Sequence, residues 1–334
     1  MATSVVDSLQ WSRGLFEPAM RQAISELPHE TRHVCGYHLG YWDENGNATG
    51  EAAGKAVRPA LVLLSAEVVG GAGPAAAPAA VAVELVHNFS LLHDDVLDRD
   101  AARRGRPTAW AAFGAGPAIM AGDALLSLAY RVIAGCGAEA VRVLHEATTA
   151  LIEGETADLA FEDATDISVA EVETMASGKT GALIGAACEL GALLGRAPTD
   201  HRRELRSFGE KLGLAFQHVD DLLGIWGDPE VTRKPVHADL RARKKSLPVV
   251  AALHSGTDAG RELAEVYASE EDLPAAEIER LALLVDKAGG RDWSRSEAER
   301  LMSESLSSLR RTEFRPGAAN RLEDLAAMVV HREF

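Results

Sequence analysis

Three aspartates stand close together in an otherwise apolar stretch of the chain, at Asp94, Asp95 and Asp98. If that stretch is helical, at about 100° per residue, the three carboxylates share one side, which Leu91 and His87 extend towards the N-terminus. Like charges on one helix face repel each other, and the cost becomes much larger inside a cavity. Carboxylates without a thiol or imidazole at ligand spacing favour a hard cation. We therefore predict that this helix binds Mg²⁺.

A second acidic group follows later in the chain, where Gln217, Asp220 and Asp221 have spacings of three and four residues on a mostly apolar helix. A run of basic residues comes after each acidic group: Arg99, Arg103, Arg104 and Arg106 after the first, and Arg233, Lys234, Arg241, Arg243, Lys244 and Lys245 after the second. A single motif of this kind is most often a solvent-exposed helix face. Two copies with the same basic continuation favour a polyphosphate ligand, held by metal ions on one side and by cationic side chains on the other.

Helices must position both groups. Hydrophobic periodicity predicts helices over 4–26, 59–69, 79–98, 117–134, 137–161, 168–194, 199–225, 273–289, 294–311 and 317–331, with another beginning at Pro248. Residues 42–53, 70–78 and 228–246 are predicted to be loops because they are rich in glycine, proline or charge. The sequence therefore predicts an all-α fold, organised as a single domain over residues 1–334.

The overall composition excludes several classes of protein. The 334 residues include 34 basic and 50 acidic side chains, a net charge of −16, whereas a nucleic-acid-binding surface would be basic. Cys35, Cys136 and Cys188 form no disulfide framework, which favours the reducing cytoplasm. The N-terminus has no basic start followed by an apolar core, so we predict no secretory signal. No run of about eighteen apolar residues is free of charge, so we predict no transmembrane helix.

From about residue 54 to residue 250 the sequence resembles the trans-isoprenyl diphosphate synthases, or polyprenyl synthetases, and among them most of all the geranylgeranyl diphosphate synthases. Several of that family's motifs occur in its order along this chain: Gly54-Lys55-Ala56-Val57-Arg58-Pro59, His87, His93 through Asp98, Arg103 through Thr108, Gly178 through Ala182, Phe216 through Asp221, and then Lys234, Asp239, Lys244 and Lys245. The resemblance implies a helical bundle around a central apolar cavity, and a homodimer.

The resemblance also implies roles for the charged residues. Roughly three Mg²⁺ ions would be held on the diphosphate of an allylic substrate by Asp94, Asp95, Asp98, Asp220 and Asp221. That diphosphate would be bound directly by Arg103, Lys179, Lys234 and Lys244. The diphosphate of a second substrate, isopentenyl diphosphate, would be bound by Lys55, Arg58, His87 and Arg104. Thr180 and Gln217 would face the developing carbocation, so that the catalytic set is Arg103, Lys179, Thr180 and Gln217.

The implied reaction is a head-to-tail condensation. Diphosphate leaves well only when its charge is neutralised, which Mg²⁺ ions and basic side chains would do. The allylic cation, formed from dimethylallyl, geranyl or farnesyl diphosphate, is then attacked by the double bond of isopentenyl diphosphate, and a proton is lost. Alanine- and leucine-rich helices would build the dry apolar cavity that protects the cation from water.

The sequence departs from the family's pattern at two places. The second aspartate motif ends in Gly224, where a third aspartate is usual, and this bears on the number of metal ions that the site binds. The motif from Gly54 to Pro59 lacks its first glycine, which is replaced by Ala53, and its middle basic residue, because Ala56 and Val57 stand there. We expect activity to survive.

The length of the product depends on the residues about one turn before Asp94. The growing chain would run along this helix, so Phe89, five residues before Asp94, and Ser90, four before it, would form the floor of the cavity. Two aromatic residues there resemble farnesyl producers, whereas one aromatic at the fifth position resembles a class of geranylgeranyl producers. We favour geranylgeranyl diphosphate, with farnesyl diphosphate second. The alternative is that Phe89 is an ordinary core residue.

Three other functions stay open. A class I terpene cyclase would keep the carboxylates but would not need the isopentenyl diphosphate site, and a non-catalytic partner subunit would usually lose the first aspartate motif. The segment from His29 to His33 matches the HExxH pattern of zinc proteases, but the third histidine, His38, stands one residue short of the extended pattern. Histidines spaced by four residues on a surface helix are the simpler explanation.

Overall fold

The computed structural model describes residues 4–49, 54–164, 166–229, 236–269 and 273–330, and its secondary structure is almost entirely helical, as predicted. The α-helices are α1 (Val5–Ser25), α2 (His29–His38), α3 (Val57–Val68), α4 (Ala77–Leu97), α5 (Ala109–Phe113), α6 (Ala115–Ala134), α7 (Ala138–Asp163), α8 (Val169–Ala176), α9 (Ala182–Leu194), α10 (Thr199–Trp226), α11 (Ala238–Arg241), α12 (Leu247–Leu253), α13 (Asp258–Tyr267), α14 (Ala275–Lys287), α15 (Gly290–Arg310) and α16 (Pro316–Val330). A 3₁₀ turn, Gly73–Ala76, precedes α4, and a π-helical turn, Ser177–Gly181, joins α8 to α9. The described strands, β1 (Ala102–Arg103) and β2 (Arg106–Pro107), pair antiparallel.

The chain divides into two compact units, each made of three segments. Unit 1 comprises Met1–Glu146, Ala186–Arg206 and Thr312–Leu325, and unit 2 comprises Ala147–Gly185, Ser207–Arg311 and Ala326–Phe334. The first acidic group therefore belongs to unit 1 and the second to unit 2. The single domain over residues 1–334 remains a prediction.

The core of unit 1 is formed by α1, α3, α4 and α6. α1 begins at Ser4, whose hydroxyl accepts a hydrogen bond from the backbone N–H of Asp7 at 3.1 Å, while the Asp7 carboxylate accepts one from the N–H of Ser4 at 3.0 Å. This reciprocal cap satisfies two of the N–H groups that a helix start leaves unpaired. α3 and α4 are rich in alanine, valine and leucine and bury most of their side chains. Their burial supplies the rigid support for the first acidic group.

Unit 2 has two apolar clusters that support the second acidic group. One surrounds the end of α10, where Ile225 packs with Leu240 of α11, Val249 of α12 and Leu281 of α14. The other joins α8 to α12 through the side chains of Val172, Met175, Leu247 and Val250. α8 itself begins with a reciprocal cap between Ser168 and Glu171.

Three of the differences from the sequence predictions lie close to the acidic groups or to Lys179. The helix predicted over 168–194 contains the π-helical turn, which hydrophobic periodicity does not register because it adds a single residue to one turn. The loop predicted over 228–246 contains α11, which is only one turn long. The basic segment after α4 folds into the β1–β2 hairpin, whose turn uses a left-handed arginine that carries no sequence signal.

Two helical segments, Gly73–Leu97 and Ala115–Ala134, are long and apolar enough to cross a membrane on length and composition alone. Within the apolar 18-residue stretch of each segment, 67% is buried inside the protein in the first, as in a core helix, and 39% is buried in the second. Asp123 lies exposed in the middle of the second, where a charge would be costly in lipid. The absence of a transmembrane helix remains a prediction. The three cysteines, all in described parts of the chain, are free.

A close helix contact in unit 1 makes a stability prediction. A Cβ atom added at Gly191 of α9 would lie 2.1 Å from the carbonyl oxygen of Val62 on α3. Gly191→Ala should therefore lower the free energy of unfolding by about 1–3 kcal/mol, because two helix backbones must separate. Urea unfolding followed by circular dichroism measures this.

The matched control is Gly14→Ala on α1, where no described atom lies within 4 Å of the added methyl group. Alanine is the better helix former, so this change should raise the free energy of unfolding by about 0.5–1 kcal/mol. Equal effects of the two substitutions would show that α9 and α3 are not in close contact.

Candidate active site

The first acidic group lies on the open face of α4. His87, Ser90, Leu91 and Asp94 are half-buried and Asp98 is exposed, at the three- and four-residue spacing of one helix side. The opposite side is packed into the core of unit 1 and includes Leu85, Asn88, Phe89 and Leu92. The predicted face is therefore accessible at Asp94 and Asp98 but not at Asp95, which stands about 100° from Asp94 around the helix and is buried.

The β1–β2 hairpin follows α4 and presents Arg103 and Arg104. Arg103 pairs with Arg106, so the turn consists of Arg104 and Gly105 alone. Both turn residues have positive φ angles, 54° and 75°, as the preferred two-residue hairpin turn requires. Tyr37 of α2 holds the hairpin in place: its hydroxyl donates a 2.8 Å hydrogen bond to a carbonyl oxygen of β2, and its ring lies 4.4 Å from the guanidinium carbon of Arg106.

Arg103 neutralises the most buried carboxylate of the first group. Its Nε donates a hydrogen bond of 2.6 Å to Oδ1 of Asp95, a residue only 1% exposed. Burial raises the pKa of Asp95, and the positive charge of Arg103 opposes that rise. The other oxygen, Oδ2, is buried and accepts no hydrogen bond from the described part of the chain. The pair thus leaves one buried carboxylate oxygen with capacity for a cation.

A cavity of about 30 Å³ adjoins this pair and is lined by Tyr37, His38, Asp95 and the hairpin arginines. Burial, reinforced by the charges of Arg104 and Arg103, lowers the pKa of His38 to about 3. Its Nε2 has no hydrogen-bond partner within the described ranges. His38 is therefore neutral near pH 7, and the positive charge here comes from arginine.

A second group of side chains, one to three turns before the carboxylates of α4, receives its positive charge from Arg58 of α3 and Arg104 of the hairpin. Burial together with the charges of Arg58 and Arg104 holds the pKa of His87 well below its ordinary value, so this histidine is neutral. Glu84, which the sequence analysis missed, lies among the same arginines; burial raises its pKa, and Arg58 and Arg104 oppose the rise. Asn88 donates hydrogen bonds to the Glu84 carbonyl oxygen at 2.8 Å and to its Oε1 at 3.3 Å.

Arg104 lies against the segment that carries Lys55. A Cβ atom on Gly54, whose φ is +85°, would lie 3.1 Å from Nη2 of Arg104. Arg13 donates a 2.6 Å hydrogen bond to the Gly54 carbonyl oxygen and fixes the same segment. Lys55 is exposed. The hairpin thus divides its cations between two neighbouring places.

Glycines bring three helical segments of unit 2 into backbone contact around Lys179. A Cβ atom on Gly154 of α7 would lie 2.4 Å from the backbone nitrogen of Lys179. A Cβ atom on Gly213 of α10 would lie 2.6 Å from the Cα of Gly181. The π-helical turn Ser177–Gly181 therefore fits tightly between α7 and α10, and this contact sets where the Lys179 side chain begins.

Lys179 reaches two carboxylates of α7. Its Nζ lies 2.6 Å from Oδ2 of Asp158 and 2.8 Å from Oε2 of Glu155. Burial would raise the pKa of Asp158, but the charges of Lys244 and Lys179 outweigh burial and lower it. The sequence analysis missed Glu155 and Asp158, because α7 carries other acidic residues and nothing in the spacing distinguishes these two.

A chain of hydrogen bonds links the predicted carbocation-facing residues to the second acidic group. The Thr180 hydroxyl donates to Oε1 of Gln217 at 2.7 Å, and Nε2 of Gln217 donates to Oδ1 of Asp221 at 2.7 Å. The backbone N–H of Leu247 donates to the other oxygen of Asp221 at 2.9 Å. The orientation of the amide is therefore fixed, and its oxygen points to the threonine.

Asp221 and Lys244 balance each other's charge. Burial raises the pKa of Asp221, which is 4% exposed, to about 7, although Lys244 opposes this. Burial alone would lower the pKa of Lys244, but the carboxylates of Asp158, Asp221 and Asp239 raise it above its ordinary value. Lys244 is therefore a permanent cation near pH 7. Asp220, the other predicted metal ligand of this group, is exposed.

The chemistry of these side chains fits a hard divalent cation. Asp94, Asp98 and Asp220 supply carboxylate oxygens at positions that are half-buried or exposed, and Asp95 has one unsatisfied buried oxygen. Over the described ranges, no three or more His, Cys, Asp or Glu side chains are already gathered into a metal site. Asp95 is instead paired with a guanidinium, as described above.

The HExxH segment from His29 to His33 has a structural explanation in the fold. His29 is 80% exposed, and Nε2 of His33 donates a 3.0 Å hydrogen bond to the Glu44 carbonyl oxygen. A Cβ on Gly36 would lie 1.9 Å from the ring of Trp42, so this glycine has a packing role. The segment is thus explained without zinc.

Some residues singled out in the sequence lie outside the described ranges. They are Ala53, just before the motif from Gly54 to Pro59, and Arg233 and Lys234 of the basic run after the second acidic group. The diphosphate-binding role of Lys234 stays a prediction.

Comparison with known proteins identifies the class to which this arrangement belongs. The Polyprenyl synthetase family matches residues 42–283. A farnesyl diphosphate synthase of Mycobacterium tuberculosis is 47% identical over 326 residues, covering 96% of this chain and 91% of that protein. A geranylgeranyl diphosphate synthase of the same organism is 45% identical over 287 residues, covering 84% and 82%. The crystal structure of a polyprenyl synthetase from Streptomyces coelicolor has a TM-score of 0.92 at 43% identity, covering 98% of this chain and all of that one.

The chain therefore belongs to the polyprenyl synthetase family, the trans-isoprenyl diphosphate synthases. It is a prenyltransferase that synthesises a prenyl diphosphate. The family and the all-α isoprenoid synthase fold predicted from the sequence are confirmed.

The Asp95–Arg103 pair makes a prediction about stability that is separate from catalysis. Arg103→Met should lower the free energy of unfolding by about 2 kcal/mol, because it leaves a buried carboxylate without its counterion. Adding Asp95→Asn should recover at least half of that loss. Arg131→Met, which breaks an exposed pair with Glu26, should cost less than about 1 kcal/mol. Denaturant titrations of the four proteins measure this; no recovery in the double variant would show that the pair is not a charge-neutralising unit.

Proposed function

We propose that this enzyme condenses isopentenyl diphosphate with dimethylallyl, geranyl or farnesyl diphosphate to give geranylgeranyl diphosphate, with release of diphosphate. The observation that carries the proposal is the division of cations by the β1–β2 hairpin. Arg103 bonds Asp95, beside the predicted metal ligands, while Arg104 lies against the Gly54 segment. Two separate groups of cations, one at each side of the hairpin, suit a reaction with two diphosphate substrates.

In this proposal the allylic diphosphate is bound through metal ions and through basic side chains. Asp94, Asp95, Asp98, Asp220 and Asp221 hold the ions, roughly three Mg²⁺ as in the resemblance. Arg103, Lys179 and Lys244 bind the diphosphate oxygens directly, with Lys234 as a further predicted ligand. When bound, Mg²⁺ supplies Lewis-acid stabilisation of the leaving diphosphate. Arg103 and Lys179 are already charged and held by carboxylates, so they need only turn from one anion to another.

The second diphosphate, that of isopentenyl diphosphate, is bound by Lys55, Arg58, His87 and Arg104. Because His87 is neutral, it contributes a hydrogen bond and no charge. Glu84 interacts electrostatically with both Arg58 and Arg104, and this attraction offsets the repulsion between the two guanidinium groups.

The chemical step begins when the carbon–oxygen bond of the allylic diphosphate breaks and its electrons go to diphosphate. The double bond of isopentenyl diphosphate attacks the cation, and the resulting tertiary cation loses a proton to the released diphosphate. The oxygen of Gln217, fixed by the hydrogen bonds from Thr180 and to Asp221, is a dipole that stabilises a nearby cation. The apolar helices exclude water, which would otherwise quench the cation.

Two related functions compete with this one. A class I terpene cyclase would have no use for Lys55, Arg58, His87 and Arg104, and a non-catalytic partner subunit would not need the intact first aspartate motif. Farnesyl diphosphate is the second candidate product, supported by the 47% identity to a farnesyl diphosphate synthase. The identity to a geranylgeranyl diphosphate synthase is 45%, so sequence identity does not distinguish between the two products.

The residues about one turn before Asp94 support the longer product. Ser90 lies on the open face of α4 and is small, so no aromatic side chain stands directly beneath the carboxylates. Phe89 is 6% exposed and meets the ring of His93 edge-on, with centroids 4.8 Å apart. We propose that Ser90 leaves room for the chain and that Phe89 limits its length.

To test this, purified protein and Mg²⁺ are incubated with isopentenyl diphosphate and each allylic diphosphate in turn. The products are identified by mass spectrometry. Geranylgeranyl diphosphate should be the main product. Ser90→Phe should shift it to farnesyl diphosphate, and Phe89→Ala should lengthen it. Phe16→Ala, which also removes a buried aromatic ring, should leave the length unchanged.

Other outcomes would select a different function. A hydrocarbon formed from geranylgeranyl diphosphate alone would identify a cyclase, and no product from any pair would favour a partner subunit. An unchanged product from both Phe89→Ala and Ser90→Phe would remove these residues from chain-length control.

We also propose that the enzyme is a cytoplasmic homodimer, joined through α6. On this helix, Ile119 and Met120 expose 37% and 57% of their surface. The apolar 18-residue stretch of the helix is only 39% buried, which leaves an apolar surface to be covered. Replacing both with lysine should halve the mass measured by sedimentation equilibrium. Leu283→Lys, at an equally exposed apolar residue of α14, should leave the mass unchanged. A wild-type protein that sediments as a monomer would refute the dimer.

The cytoplasmic location is tested by fractionating the cells that produce the protein and measuring which fraction contains it.

A further inference from the structure

Arg243, Lys244 and Lys245 are consecutive, half-buried cations between α11 and α12, and the structure gives them different neighbours. In the proposed function Lys244 binds diphosphate, and the two flanking residues have no part. Helix ends explain where the two flanking side chains go, because the carbonyl oxygens of the last helical turn lack partners within the helix. A positive charge beside them is favourable, since they form the negative end of the helix dipole.

Lys245 bonds the end of α7. Its Nζ donates a hydrogen bond of 2.6 Å to the carbonyl oxygen of Phe161 and one of 2.8 Å to that of Glu162. Both oxygens belong to the last turn of α7, which ends at Asp163. Burial lowers the pKa of Lys245, and the carboxylates of Asp163 and Glu162 oppose this. The ammonium group therefore caps α7 through its backbone.

Arg243 bonds the end of α13 in the same way. Its Nη1 donates a 3.1 Å hydrogen bond to the carbonyl oxygen of Val266, in the last turn of that helix, and another to the carbonyl oxygen of Ser269 just beyond it. The φ angle of Arg243 is +50°, a conformation that costs free energy in a residue other than glycine. An arginine stands here although the backbone favours glycine, and the contacts of its side chain with α13 explain why.

Lys244 lies between these two anchors. Its backbone N–H donates a 2.8 Å hydrogen bond to the carbonyl oxygen of Asp239, and its own carbonyl oxygen accepts one of 3.4 Å from the hydroxyl of Tyr267, the last residue of α13. Burial alone would lower the pKa of Lys244, and the carboxylate of Asp158 is the largest opposing influence. Asp158 stands on α7, one turn before the oxygens that Lys245 bonds. The Lys245 contact therefore joins the segment that carries Lys244 to the helix that carries its carboxylate partner.

We propose that Arg243 and Lys245 are positioning residues, which cap the ends of α13 and α7 and so hold the Lys244 ammonium group where it binds diphosphate. Their side chains bind helix carbonyl oxygens and not the substrate. The inference rests on the proposed function in one respect, the assignment of diphosphate to Lys244. Three adjacent cations of similar chemistry thus have separate tasks, set by the helix end or carboxylate that each one faces.

The first test measures the affinity for inorganic diphosphate by calorimetry in the presence of Mg²⁺, with no catalysis required. Lys245→Met should weaken binding by about 10-fold, the loss typical when a group that orients a ligand is removed. Lys245→Arg should keep most of the affinity, because a guanidinium can also donate to two carbonyl oxygens. Lys287→Met removes the same charge from an exposed place on α14 and should change the affinity by less than about 2-fold.

A double-mutant cycle separates a positioning residue from a direct ligand. If Lys245 acts through Lys244, adding Lys245→Met to Lys244→Met should weaken binding by less than about 2-fold further. A second loss of about 10-fold would show that Lys245 contacts the diphosphate itself, and the inference would be overturned. Wild-type affinity in Lys245→Met alone would also overturn it.

Arg243→Gly tests the other anchor. Glycine relieves the positive φ, so the backbone is not strained by the change, but the bonds to the end of α13 are lost and diphosphate binding should weaken several-fold. The matched control is Arg196→Gly, at an exposed arginine of unit 1 with a φ of +63°, which should bind diphosphate as the wild type does. Unchanged affinity in Arg243→Gly would remove Arg243 from the positioning role.

Steady-state kinetics distinguish positioning from a general loss of structure. In Lys245→Met the KM for the allylic diphosphate should rise, whereas the KM for isopentenyl diphosphate should stay near the wild-type value, because the cations proposed for it belong to unit 1. An equal rise in both KM values would indicate a structural defect and overturn the inference. If the wild-type protein makes no condensation product but the inorganic diphosphate results are as expected, the inference stands and the proposed function fails.

Discussion

The constraint on which the site depends is the cost of holding several carboxylates together in partly buried surroundings. Two buried carboxylates and one half-buried carboxylate each have a cation close by: Asp95 has Arg103, Asp221 has Lys244, and Asp158 has Lys179. These cations are the same ones that the resemblance assigns to diphosphate binding. Carboxylates and phosphates compete for them, and divalent ions that neutralise the carboxylates would release the basic side chains to the substrate. In the proposed function, metal and diphosphate binding would therefore be coupled through charge.

Backbone geometry places these charges. In unit 2, glycines at 154 and 213 allow the π-helical turn with Lys179 to lie directly against α7 and α10. In unit 1, a two-residue turn with two positive φ angles sends Arg103 and Arg104 to different neighbours. Neither arrangement would tolerate a shift of an ångström or two, because hydrogen bonds and ion pairs weaken over that distance. The small residues of this chain thus have as direct a part in the site as the charged ones.

The helices and the two acidic groups could be predicted from the sequence because both are local patterns. Apolar periodicity identifies α4 and α10, and the three- and four-residue spacing of their acidic residues places these on one face of each helix. Contacts between distant segments could not be predicted. Nothing near Glu155 or Glu84 in the chain indicates that each faces a cation, and the left-handed conformation of Arg104 is unusual for its residue type.

The product length shows how sequence similarity and local geometry differ as evidence. Two relatives with different products have almost the same identity to this chain, because identity averages over a whole fold that both share. In the proposed reaction, chain length depends instead on the few side chains along the path of the growing substrate. On α4, Ser90 shares the open face with Asp94, whereas Phe89 is rotated from Asp94 by about 140° and is buried against His93. An aromatic at residue 90 would close the space directly beneath the carboxylates, while Phe89 can narrow it only from the side. The proposal of the longer product therefore rests on the serine at the nearer position, which leaves room for a chain to extend past this turn.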